Sequence, residues 1–563
     1  MRRFSLMRIA VGRGLMFGAG GVHLAVVGVL LMLHNRWIIV DTLSLGQATL
    51  VMLGVAAGAI AVPERLLPDR GARLAAGALA GLAAAAPIAL LAVAIGTISL
   101  QSIFIALTPD LLNLLTSGLG LGWGSVLLLG GGLLAGLIGA ALRLCPMAIR
   151  GTLITAVTAV ILAGVFQELI QLMLQYEGPI GWVRDTLYVW NGLVPQGAVI
   201  VFVVAAVIHQ AWAMLGRHRE TEPDERQLRR QRMLRAGIAL LVLAIMPVLA
   251  GAYIGQVLML VGLYILMGMG LNLEVGLAGL LDLGFVAFFA VGAYTTALLT
   301  ADSPHALMHL GFWGAMPVSV VLAVCVGVVF GLPVLGVRGD YLAVATLGLG
   351  EIVRVLVLSD FAAPLLGGAQ GVLQIPKPRL DGIVLGSPVQ LFYVTLVASG
   401  VAAFVAWRLE NSRLGRAWMA LRDDEDVAQA LGINLVRSKL LAYGLGAAFA
   451  GLAGSIFATM LTSVYPSSFQ LLISINVLAL IIVGGMGSLP GVVLGSIVLI
   501  GLPELLREFG EYRYLFYGAV LIVMMQWRPE GLWPSEVRRR ELHEGEVTAE
   551  LDQGADLLPA EPR

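Results

Sequence analysis

Residues 390–408 read QLFYVTLVASGVAAFVAWR, residues 413–439 read RLGRAWMALRDDEDVAQALGINLVRSK, and residues 440–460 read LLAYGLGAAFAGLAGSIFATM. The outer two runs are apolar nearly throughout and close to the ~20 residues that a helix needs to cross the hydrocarbon of a bilayer. The middle run is too polar to follow them in. The same alternation of apolar run and hydrophilic island recurs along the chain and decides the class: an all-α, polytopic transmembrane helical bundle. The apolar runs are continuous rather than alternating, which argues against transmembrane strands.

Composition points the same way. Of 563 residues, 59% are hydrophobic and 12% charged, with a mean hydropathy of +0.91; soluble domains carry roughly 25% charged residues. In water such a chain would expose far too much apolar surface, whereas its 70 glycines let membrane helices approach closely. Cys145 and Cys325 lie in or beside apolar segments at unrelated spacing and imply neither a disulfide framework nor a metal site. The start, MRRFSLMRIAVGRG, is basic and leads into an apolar run. No small-residue cleavage site stands out within 24–37, so a retained signal-anchor helix is expected.

On the 20-residue ruler, six spans are expected first, near 15–34, 43–62, 74–98, 121–142, 151–174 and 196–215. Arginines crowd alternate loops: Arg2, Arg3, Arg8 and Arg13, then Arg65, Arg70 and Arg73, then Arg143 and Arg150, against only Arg36 and Arg184 opposite. The positive-inside rule places the N-terminus in the cytoplasm. Residues 217–235, RHRETEPDERQLRRQRMLR, form a net-basic stretch that reads as a cytoplasmic linker. It separates a six-span domain, 1–216, from a domain at 236–534. Ten further segments are expected near 236–252, 256–273, 281–300, 313–336, 341–358, 390–408, 440–460, 471–487, 490–503 and 513–527, about 16 in all. Alternation returns the C-terminus to the cytoplasm, where the acid-rich tail 535–563 lacks apolar periodicity and reads as disordered.

Within 471–503, the run VGGMGSLPGVV cannot remain regular helix. Two readings stand: a broken or re-entrant helix covered by protein, or a tight turn between two short tilted helices at the cytoplasmic face. Within 413–439, Asp424 is suited to an N-cap, Glu425 and Asp426 suit the positive end of a helix dipole, and Gly432 stands where a C′ glycine ends a helix. Val427, Ala428, Ala430 and Leu431 offer a small apolar face. A helix of seven or eight residues is only about 10–12 Å long. It is too short to cross a bilayer, and its apolar side suits a docking element.

The second half resembles the LivM-type permease subunit of branched-chain amino acid ABC importers, within a wider group that includes urea permeases. The resemblance rests on six blocks in register: GLNLEVGLAGLLDLGFVAFFAVGAYTTALL (270–299), GLPVLGVRGDYLAVATLGLGEIVR (331–354), GGAQGVLQIPKP (367–378), GRAWMALRDDEDVAQALGINLVRSK (415–439), AGLAGSIFA (450–458) and VGGMGSLPGVVLG (483–495), closed by WRPEGL (527–532). It covers roughly 236–534. It implies a translocation path served by an external solute-binding protein, a second permease subunit, membrane lipid as solvent, and two ABC ATPase subunits, in the inner membrane of a bacterium. ABC permeases offer the ATPase a loop of the form Glu-Ala-Ala-x-x-x-Gly. Here Asp426, Val427 and Ala428 stand in its place and Gly432 in the glycine position, a departure at the first two. The resemblance therefore implies an ATPase-coupling loop with Gly415, Arg416, Asp424, Glu425, Asp426, Ala428 and Gly432. The domain 1–216 carries no motif of this family; its clearest intramembrane polar cluster is Glu168 with Gln167 and Gln171, which marks a function or lies at a span end and reaches water.

No nucleotide site is visible. A P-loop needs Gly-x-x-x-x-Gly-Lys followed by Ser or Thr, and the only lysines, Lys377 and Lys439, follow no such loop. The expectation is a transport subunit, not an enzyme, that binds no cofactor of its own and no nucleic acid, with ATP used by partner subunits. His305 and His309 share an i,i+4 spacing without a third ligand and read as solvated. Among charges in the matched domain, Glu351 and Arg354 form an i,i+3 pair, and Glu504 lies against a span. Glu274, Asp282, Gly485 and Gly487 are candidates for the translocation path; Asp282 either caps a broken helix there or satisfies neighbouring amides. Urea or short amides stay open as substrates. So does an ion-coupled secondary transporter, which would need intramembrane carboxylates of this kind.

Overall fold

The computed structural model describes residues 2–61, 69–98, 100–174, 181–189, 192–217, 225–334, 336–337, 339–510 and 512–535. The tail beyond 535 and residues 218–224 of the expected linker lie outside them. The described chain is helical almost throughout, and 11 of its helices are long and apolar enough to cross a membrane. Three shorter apolar helices, Leu45–Ile60, Val286–Thr300 and Leu489–Leu505, add to these. The count is below the 16 segments expected. The segments expected at 236–252 and 256–273 are two helices within Glu225–Leu271, joined by a kink at Gly251 with φ 85°.

The chain divides into two compact units after Ala236. In the first, helices Leu45–Ile60, Arg70–Thr97 and Gly120–Leu144 meet through small residues. A Cβ at Gly58 would strike the Gly136 carbonyl, and one at Gly81 the Gly132 carbonyl. Backbones this close gain dispersion contact where apolar burial from water gives nothing. A small sheet in the order Leu43–Ser44, Trp37–Ile39, Gly192–Leu193, Tyr188–Val189 ties the loops together. Large apolar side chains such as Leu90, Val126 and Trp212 face outward, as expected for a surface solvated by lipid. Glu168 is at such a span end: its carboxylate is largely exposed and pairs with Arg36 at 3.8 Å.

In the second unit, the spans Ala250–Leu277 and Leu435–Leu461 are each 67% buried, far more than any other span, and form its centre. Val286–Thr300 and Phe312–Val334 pack on Leu435–Leu461. Gly292 and Gly454 set the spacing, because a Cβ on either would strike the backbone of the facing helix. Residues 471–503 fold as two helices joined by a tight turn. Leu471–Gly484 turns back through Gly485 (φ 119°) and Gly487 (φ 75°) into Leu489–Ser496. The two arms touch where Gly484 and Gly495 leave room for the Gly491 and Leu480 carbonyls.

Candidate functional site

The hydrophilic island folds as two short helices, Arg413–Asp423 and Glu425–Ala430. Ser412 caps the first, its hydroxyl accepting from the Leu414 and Gly415 amides. Gly415 is buried because a side chain there would strike the Glu410 and Leu409 carbonyls, so the helix folds back tightly on the end of Pro388–Glu410. Arg416 points outward and is exposed. The same face that carries Gly415 carries Trp418, Leu421 and Arg422 at helical spacing, and this face docks.

Trp418 is fully buried and its indole N–H donates to the Ser438 carbonyl at 2.9 Å. Arg422 donates from Nη1 to the Gly276 carbonyl at 3.0 Å, and its stem lies against Gly279. The first island helix is thereby tied to both central spans of the unit.

Asp424 caps the second helix as its sequence suggests: one carboxylate oxygen accepts from the Asp426 and Val427 amides, at 2.8 and 3.0 Å. Gly432 ends it in the left-handed region, φ 87°. Glu425 pairs with Lys439 at 2.7 Å, and the lysine side chain is 4% exposed. Ala428 turns inward, 1% exposed. The apolar surface left facing out is Val427, Ala430 and Leu431, with Leu431 75% exposed. Of the four apolar residues expected to form one face, Ala428 belongs to the other side, because the helix must seat itself as well as present a surface.

The segment that Arg422 grips is itself irregular. After Leu271 the backbone widens into a π-turn over Asn272–Leu277 and resumes as helix only at Val286; such π segments are frequent at functional sites. Asn272 Oδ1 accepts the Gly487 amide at 2.9 Å, joining this break to the glycine turn at 485–487. The amides of Leu532 and Trp533, in the run RPEGLW, donate to the Val483 and Gly484 carbonyls at 2.8 and 2.9 Å. These bonds satisfy helix-end acceptors that would otherwise lack partners. Three separate sequence blocks thus converge beneath the island. Glu274 and Asp282 lie inside the break, both fully buried. Asp282 Oδ1 accepts the Gly284 amide at 2.7 Å, so it does satisfy a neighbouring amide.

At the other end of Leu435–Leu461, Lys377 donates to the Thr459 and Met460 carbonyls, both at 2.9 Å. Val372 and Val464 exchange backbone hydrogen bonds beside it. The block at 367–378 therefore closes that helix end. Glu351 and Arg354 pair with each other, and Glu504 lies near Arg507 and Arg513 at 3.7 and 3.9 Å. His305 bonds to the Pro364 carbonyl and His309 lies 4.0 Å from Asp302.

Trp418, Arg422, Asn272, Lys439 and Lys377 were not singled out by sequence as parts of this machinery. The 415, 418, 422 spacing was the available signal for the first two. The others depend on partners more than 80 residues away or on another helix.

Comparison with known proteins finds transport permeases. A family model described as "Branched-chain amino acid transport system / permease component" matches residues 253–525. The high-affinity branched-chain amino acid transport system permease protein LivM of Escherichia coli (strain K12) is 40% identical over 337 residues, 56% of this chain and 78% of that protein. The probable LivM of Methanocaldococcus jannaschii is 22% identical over 334 residues, 50% of this chain and 94% of that protein. The permease protein LivH of E. coli (strain K12) is 24% identical over 284 residues, 48% and 90%. No solved structure matches the chain. Its central break, its docked island and its glycine turn all lie within the matched residues, and the chain belongs to the LivM-type family of branched-chain amino acid transport permeases.

Proposed function

We propose that this chain is the membrane-spanning subunit of an ABC importer for branched-chain amino acids, driven by separate ATPase subunits that grip the 413–439 island. The observation that carries this reading is the second island helix. It is short, capped at both ends and apolar on its outer face; Glu425 fixes it to Lys439, and the adjoining first island helix is fixed to the bundle by Trp418 and Arg422. A rigid helix transmits displacement to what it is bonded to, which a loose loop does not. When paired ATPases close on ATP, a push at Val427, Ala430 and Leu431 would pass through Arg422 into the 272–285 break and the 485–487 turn, the proposed wall of the path. Substrate would come from an external binding protein, and a second permease subunit would complete the path. The basic loops support an inner-membrane orientation with both termini cytoplasmic.

The test is uptake of leucine in proteoliposomes carrying the co-purified complex. Two P-loop ATPases and a second permease should accompany the chain from solubilised membranes, and uptake should require ATP. Gly432→Pro should abolish that uptake with membrane insertion unchanged, because proline cannot adopt φ 87°. Uptake by the chain alone on an ion gradient, or full uptake by Gly432→Pro, would overturn the reading.

A further inference from the structure

The break between Leu271 and Val286 holds the only two buried carboxyl groups among the described residues, Glu274 at 0% and Asp282 at 1% exposure. Both lie against the helix Leu435–Leu461, Glu274 at Gly446 and Asp282 beside Tyr443. The bond from the Gly284 amide occupies Asp282 Oδ1, while Asp282 Oδ2 and both Glu274 oxygens have no hydrogen-bond partner. The surroundings are shaped to fit them. Gly446, on the facing helix, is the one residue type that leaves room: a Cβ there would overlap Glu274 Oε1. One turn earlier on that helix Tyr443, 2% exposed, also has an unpartnered hydroxyl. It lines a small void with Asp282, Gly284 and Thr346.

No cation among the described residues compensates this pair. On the helix Leu435–Leu461, Lys439 is bonded to Glu425. On the island, Arg422 serves the Gly276 carbonyl and lies near Asp423. On Asp340–Leu358, Arg354 is bonded to Glu351, and the Thr346 hydroxyl accepts the Leu283 amide. Val286–Thr300 brings only Tyr294 and Phe312–Val334 only Cys325 as titratable groups. Two carboxylates buried side by side, with no cation beside them among the described residues, cannot both stay ionised. One proton between them removes the repulsion and supplies the missing donor.

We infer that Glu274 and Asp282 form a proton-binding site, in which one shared proton bridges the two carboxyls and holds the 272–285 break closed. The proton is taken from solvent as the segment packs and returned to it when the pair is titrated.

Infrared spectra of the full-length chain, purified with the subunits that accompany it, test this without any variant. At neutral pH they should show the carbonyl stretch of a buried protonated carboxylic acid, which disappears on alkaline titration. Absence of that band at neutral pH overturns the proposal. The variants Glu274→Gln and Asp282→Asn should each remove the band. A band that persists unchanged in both variants overturns the proposal. So does specific stabilisation of the unaltered chain by sodium or potassium at alkaline pH, which would make the pair a metal-cation site.

Discussion

Gly446 and Glu274 fit one into the other: the missing side chain of the first is the space filled by the carboxyl of the second. Neither residue is explained alone. A glycine in the middle of a central helix loses about 1 kcal/mol of helix propensity relative to alanine, and a carboxyl buried in a span has a desolvation cost. Together they seat a polar group where the backbone is already irregular. Gly446→Ala should therefore lower the melting temperature of the solubilised protein, since overpacking a tight core costs about 1–3 kcal/mol. Adding Glu274→Ala to Gly446→Ala should restore much of it. Contacting residues couple in this way, and losses that simply add would show that the two do not share the space.

Arg422 joins the island to the break through a charged hydrogen bond, at 3.0 Å to the Gly276 carbonyl. Arg422→Met keeps the stem against Gly279 and removes the guanidinium. A hydrogen bond from a charged donor contributes about 1.5–3 kcal/mol, and each 1.4 kcal/mol is tenfold. ATP-driven uptake should fall about tenfold or more while the ATPases still co-purify. Normal uptake would mean that displacement reaches the path by another route, Trp418 and Ser438 being the nearest.

Much of this was legible in the sequence because membrane and water impose opposite patterns on a chain. Apolar run length gave the class, and the short polar island between two runs gave the one element that had to stand outside. Asp424 and Gly432 announced the second helix because caps act locally, within a few residues. The span count was not legible to the same degree. The breaks at Gly251 and Gly485 fall beside the expected boundaries near 252 and 487, whereas which of the shorter apolar runs form full spans depends on packing that an apolar run does not encode. The convergence of Asn272, Gly276, Arg422, Gly487 and Trp533 was hidden for a different reason. Each of those bonds uses a backbone group on one side, and a backbone group leaves no mark in the sequence.

Leu431 is 75% exposed and Val427 55% on a helix whose opposite side is bonded down. Placing a charge on such a surface alters stability by roughly 0.5 kcal/mol or less, so Leu431→Asp should melt like the unaltered protein. It should nonetheless fail to retain the ATPase subunits on an affinity column, because a carboxylate would be desolvated in an apolar contact. Full retention with unchanged uptake would move the ATPase contact away from this helix face.

Lys377 closes the end of Leu435–Leu461 that lies opposite the island. Its ammonium donates to the Thr459 and Met460 carbonyls, two of the acceptors that a helix C-terminus leaves open, at the negative end of the helix dipole. Burial among these groups pushes the lysine below its ordinary value. The sign of the resulting pH dependence is fixed by that direction. The unfolded chain holds the lysine proton to higher pH than the folded one, so across that alkaline window this residue makes stability rise with pH. Lys377→Met, which keeps the apolar stem and deletes both bonds, should cost about 1–3 kcal/mol and abolish that rise. A rise that persists in the variant would show that it originates at another group.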